Sequence, residues 1–100
     1  MQDVLRLQPD SFEAYGTIGS IFYAQQDWQR AAIALTRVVD LRPREAVPHF
    51  ILATCLDNLG NAKEALVHYN KFLEFDDGSN DTRSFQARQR AQTLDRRLKR

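Results

Sequence analysis

Apolar residues recur along this chain with a helical period. Tyr15, Ile18, Gly19 and Phe22 fall on one helical face, Ala31, Leu35 and Val38 on another, and turn-forming residues separate the two runs. Shifting the chain by 34 residues lays Val4 on Val38 and Phe72, Leu7 on Leu41 and Phe75, and Pro9 on Pro43. The same shift lays Ile18 on Leu52, Gly19 on Ala53, Phe22 on Leu56, Ala31 on Ala65 and Leu35 on Tyr69. No gap is needed, so each unit reads as a helix, a tight turn and a second helix.

Capping residues place the helix ends independently of that alignment. Asp10 with Glu13, and Asn61 with Glu64, have the spacing of an N-cap acceptor and a carboxylate three residues on, and Asp27 can cap the helix that carries Ala31. Pro43 ends that helix, whereas Pro48 fits only the first turn of the next one, where its missing N–H has no intrahelical partner. Gly60 suits a turn and Gly78 a helix C-terminus. The reading is helices at 11–25, 28–41, 46–58, 62–75 and 81–98, with a short helical end at 2–8.

These residues resemble the tetratricopeptide repeat family. Its pattern of an aromatic, Leu-Gly, Tyr, a small Ala, an aromatic four residues later and a closing Pro is met by Tyr15, Ile18-Gly19, Phe22, Ala31, Leu35 and Pro43. The second unit follows with His49, Leu52-Ala53, Leu56, Gly60, Ala65 and Tyr69, and has Asp77 where the Pro would fall. The resemblance implies an all-α fold, a right-handed superhelix of helix-turn-helix repeats. The expected division is 1–10 as the end of a partial preceding repeat, 11–44 and 45–78 as two repeats, and 79–100 as a C-terminal capping helix. In the last segment Ala87, Ala91, Leu94 and Leu98 form an apolar stripe with Arg88, Arg96, Arg97, Lys99 and Arg100 off it. That stripe should cover the helix carrying Tyr69 and Phe72, as polar-faced end helices do in solenoids.

Length and charge narrow the function classes. A chain of 100 residues allows one domain and should bury roughly 65% of the surface its unfolded form exposes. Residues 1–80 carry 7 basic and 11 acidic side chains, while 81–100 carry 7 basic and 2 acidic, so the formal charge of +1 conceals a basic C-terminal end. The single Cys55 excludes an intramolecular disulfide and fits a reducing, cytoplasmic compartment, although exported bacterial domains also lack disulfides. Ala46 to Leu56 is the longest uncharged apolar stretch, 11 residues against the ~20 of a membrane span. Met1–Asp10 interrupts its apolar cluster with Asp3 and Arg6, unlike a secretory signal.

In the resembling family the first helix of each repeat lines a concave groove that holds a peptide or a partner helix. Carried over, the groove positions are Glu13, Gly16, Ser20, Tyr23 and Ala24, then Val47, Phe50, Thr54, Asp57 and Asn58. Tyr23 and Phe50 could anchor an interface, and Asn58 could hold a peptide backbone through its amide. Alternatively, Tyr23 and Phe50 pack only on each other. The family's clamp for two carboxylates is not expected, because Gly16, Ser20 and Ile51 stand at its places.

No sharper chemistry emerges. His49 and Cys55 lie about 240° apart around one helix, so a thiolate or metal site with His68 is not indicated. The run Asp76-Asp77-Gly78-Ser79-Asn80-Asp81 lacks the Gly placement and bidentate Glu of a calcium loop. No aromatic interleaves Arg88–Arg100 for base stacking, which disfavours nucleic acid, and a membrane partner is likewise disfavoured. The expectation is a non-catalytic protein-interaction module with no cofactor or metal. The alternative is a self-assembly module, a homodimer joined through the groove or through Val4, Leu5 and Leu7 at the incomplete N-terminal end.

Overall fold

The computed structural model describes residues 11–79 and 81–99. They form five helices: α1 (Phe12–Ala24), α2 (Trp28–Leu41), α3 (Ala46–Asn58), α4 (Ala62–Phe75) and α5 (Asp81–Leu98). Each helix packs against the next in chain order, and α1 also reaches α3. The element boundaries agree with the sequence reading to within one residue. Val4, Leu5, Leu7, Asp10 and the expected 2–8 helix lie outside the described residues.

Backbone hydrogen bonds repeat in the two hairpin turns with the 34-residue period. Asp27 N–H donates to Phe22 O and Asn61 N–H to Leu56 O, each at 2.9 Å, and Gln26 and Gly60 donate to Tyr23 O and Asp57 O at 3.0 and 3.1 Å. The side-chain caps differ. Asp27 accepts from Arg30 N–H at 3.3 Å, but Asn61, at the equivalent N-cap, makes no side-chain cap bond, and its turn is held by the backbone alone. The first helix is capped by Ser11. The Ser11 hydroxyl accepts from Ala14 N–H at 3.2 Å while donating to Glu13 at 3.0 Å, which makes it both cap and partner of the first-turn carboxylate.

Small residues bring the helices of each hairpin together. A Cβ placed on Gly19 would lie 3.0 Å from Leu35 Cγ, and Ala31, Ala53 and Ala65 are fully buried. Around these crossings lie Val38, Leu52, Tyr69 and Phe72, all buried, with Leu94 contributed by α5. The α5 stripe buries Ala87, Ala91 and Leu94, joined by Ser84, whose hydroxyl donates to Asp76. Leu98, expected in that stripe, is 44% exposed at the last residue of the helix.

The period also exposes a local cost. Gly60 occupies the left-handed region at φ 84°, and its counterpart Gln26 does so at φ 59° with a Cβ attached. Gln26→Gly is therefore expected to raise stability by about 1 kcal/mol, measured by chemical denaturation, because it removes the left-handed penalty in a turn that keeps its backbone hydrogen bonds.

Candidate functional site

Four helices supply side chains to one cleft of about 260 Å³. Tyr23 comes from α1, Phe50, Thr54 and Asp57 from α3, Tyr69 from α4, and Gln86 and Arg90 from α5. Its wall is a bidentate ion pair in which Arg90 Nε and Nη2 each donate to the Asp57 carboxylate at 2.8 Å, while Tyr69 OH donates to Asp57 Oδ2 at 3.1 Å. Burial, chiefly, pushes the Tyr69 phenol up to about 12, and the Asp57 carboxylate also favours its protonated form. The hydrogen bonds from Arg90 to Asp57 raise the guanidinium pKa in turn. Tyr69 therefore remains a neutral donor and Arg90 a cation under ordinary conditions.

The floor is aromatic. Phe50 lies 6.0 Å from Tyr69 and 5.3 Å from Phe72 between ring centroids, with the Arg83 guanidinium 5.9 Å from its ring. Phe50 is only 8% exposed, so it serves as floor and not as the free anchor the sequence suggested. Tyr23 is half-buried, and its ring meets Trp28 edge-on at 5.5 Å, a contact the sequence reading did not include. Thr54 donates its hydroxyl to Phe50 O.

The remaining candidates lie around this cleft. Glu13 and Ser20 line a broader depression on α1 with Gly16, Thr17, Ile21 and Ala24. Val47 is half-buried early in α3. Asn58 is exposed, but its amide donates to Thr54 O at 2.8 Å, which engages part of the group that would hold a peptide backbone. Sequence reasoning missed Gln86 and Arg90, to which it gave no role. The available signal was charge complementarity: Arg90 follows Asp57 by 33 residues, about one repeat, which sets it on the next layer.

A model of the tetratricopeptide repeat matches residues 1–46 and again 17–80. This chain belongs to the tetratricopeptide repeat family. Two uncharacterised TPR repeat-containing proteins of Arabidopsis thaliana are each 32% identical to it over 72 residues. That match covers 72% of this chain but 9% of theirs, so the chain spans a small part of the length of these relatives. Among solved structures, MamA MSR-1 C2 superposes with a TM-score of 0.68 at 22% identity over 94% of this chain and 63% of its own, a likeness of fold.

Outside the cleft, Cys55, the acidic run and the basic end of this tetratricopeptide chain are held in structural surroundings. Cys55 is fully buried, and burial pushes its thiol up to about 11, far from a reactive thiolate. In the acidic run, Asp76 and Asp77 accept from the backbone N–H groups of Gly78 and Ser79. Lys99 pairs with Asp95 at 3.0 Å, so the basic end is partly neutralised at the C-terminus of α5. No group of three or more metal-ligating side chains, and no helix long and apolar enough to cross a membrane, occurs among the described residues.

His49 and His68 meet within the second repeat. His49 Nε2 lies 2.7 Å from Pro43 O, which can only accept, so Nε2 carries a hydrogen and Nδ1 is left as an acceptor. His68 Nδ1 stands 3.0 Å from it and must donate. Burial, followed by His49 and Lys71, lowers the His68 pKa to about 4, against a smaller opposing effect of Asp40. The folded state thus holds fewer protons here than the unfolded chain between pH 6.5 and about 4. Stability should be intact above pH 6.5 and fall below it, by up to about 1.4 kcal/mol per pH unit. Denaturation at pH 7, 6 and 5 should show this slope in the parent and a flatter one in His68→Leu.

Proposed function

We propose that this chain is a non-catalytic protein-interaction module that seats a peptide or a partner's helix in the groove centred on Tyr23, Thr54, Asp57, Gln86 and Arg90. Repeats of this family mediate protein–protein interaction. The observation that carries the reading is the convergence of α1, α3, α4 and α5 on one cleft with an aromatic floor and a charged wall. Such a site can bury an apolar side chain against Phe50 and Tyr69 while polar groups at the rim orient the backbone of the bound segment. Tyr23 is the half-exposed aromatic best placed to close over it, and Glu13 and Ser20 extend the same surface along α1. We place the module in the cytoplasm on the strength of its single, buried Cys55. The competing reading is a homodimer assembled through the groove or through Val4, Leu5 and Leu7, for which a molar mass that doubles between low and high micromolar chain would speak.

The test begins with peptides selected from a random displayed library on the intact chain. Amide shifts in a nitrogen-15-labelled sample should cluster on Tyr23, Thr54, Asp57, Gln86 and Arg90, and Tyr23→Ala should weaken binding about tenfold, the effect of losing roughly 1.4 kcal/mol. Shifts confined to α2, with Tyr23→Ala inert, would remove the groove from the account.

A further inference from the structure

The wall of the cleft holds more donors than acceptors. Asp57 accepts from Arg90 Nε and Nη2 at 2.8 Å and from Tyr69 OH at 3.1 Å, which takes three of the roughly four acceptor positions of a carboxylate. A guanidinium has five N–H groups, and Arg90 Nη1, which carries two of them, makes neither bond to Asp57. The Arg90 side chain is 38% exposed beside an Asp57 side chain that is 16% exposed, so a segment laid in the cleft covers the guanidinium from solvent. A donor covered without a partner costs more than a typical hydrogen bond gains. The segment must therefore bring an acceptor to Arg90.

Charge decides which acceptor. Asp57 and Arg90 already balance each other. Arg83 lies 5.9 Å from the Phe50 ring centroid, but it lines the adjoining depression together with Asp81, so that pair of charges cancels as well. Glu13 borders the depression on α1. Among the described residues that line the cleft and these two depressions, two cations thus face three anions. A carboxylate brought to Arg90 would share one guanidinium with Asp57 and leave a partly buried site with excess negative charge, whereas a neutral carbonyl takes the same N–H groups without adding any.

We infer, taking the groove as the seat of a partner segment, that it selects an uncharged one: an apolar side chain against Phe50 and Tyr69, flanked by the side-chain amide of Asn or Gln, whose oxygen accepts from Arg90 Nη1, with Asp and Glu rejected at that place. Arg90 sets the preference. Asp57 is a positioning residue that acts through it, holding the guanidinium bidentately while cancelling its charge.

The probe is a displayed peptide library with one fixed leucine and random residues on both sides, panned on the intact parent and on the Asp57→Asn and Arg90→Gln variants. Beside the leucine, sequences enriched on the parent should favour Asn and Gln over Asp and Glu. Asp57→Asn should reverse that order by releasing the positive charge of Arg90, and Arg90→Gln should abolish it. One peptide enriched on the parent and its counterpart with glutamate in place of glutamine or asparagine, read by fluorescence anisotropy, should differ about tenfold in affinity for the parent and in the opposite sense for Asp57→Asn. In the parent, without any variant, the deficit of the glutamate peptide should narrow as salt rises, because salt screens its repulsion from Asp57. A parent that favours Asp and Glu or shows no preference, a deficit that salt leaves unaltered, or a preference indifferent to both substitutions in variants with the parent's circular dichroism would overturn the inference and leave the groove in place. Enriched peptides that fail to shift the amides of Tyr23, Thr54 and Gln86 would overturn the groove and the inference together.

Discussion

Each hairpin depends on how closely its two helices approach at one point. At Gly19 there is room for a hydrogen and little more, since a methyl group there would press on Leu35 and meet Ala34, and Ala31 on the same helix has no accessible surface. Ala53 and Ala65 reproduce the arrangement one repeat later, again fully buried. Small side chains at a crossing let larger neighbours such as Val38, Leu52 and Phe72 interlock around it at the density of a protein interior. A larger residue would separate the helices and disturb the layer that rests on them.

The cleft follows from that stacking. Layers set by close crossings bring Asp57 of α3 opposite Arg90 of α5, and the resulting bidentate pair joins helices that are not consecutive in the chain. Asp57 is mostly buried and Arg90 partly exposed, so the pair contributes chiefly by fixing orientation. Tyr69 ties the same carboxylate to α4. One carboxylate thereby coordinates three helices at the wall of the candidate binding surface.

Nearly all of the helical layout was legible in the sequence, because a 34-residue period with small residues in register is a statement about packing. What escaped were features that depend on three-dimensional neighbours or on single dihedral angles. Ser11 is the first cap, although the sequence spacing pointed to the residue before it, because either residue type suits that role and only geometry selects between them. Gln26 at positive φ is invisible unless its alignment with Gly60 is read as a backbone requirement. Groove positions carried over from the family reached Tyr23, Phe50, Thr54 and Asp57, yet exposure could not be read from spacing, and Phe50 lies beneath the surface it was expected to form. Arg90 drew no notice in the sequence, because its role depends on Asp57 standing opposite it.

The claim that close crossings hold the fold is tested most directly by enlarging them. Ala31→Leu and Ala65→Leu, measured by urea denaturation beside Ala24→Leu at an exposed position of α1, should each lose about 1 to 3 kcal/mol through overpacking while the exposed control changes little. Parent-like stability in both buried variants would contradict the account.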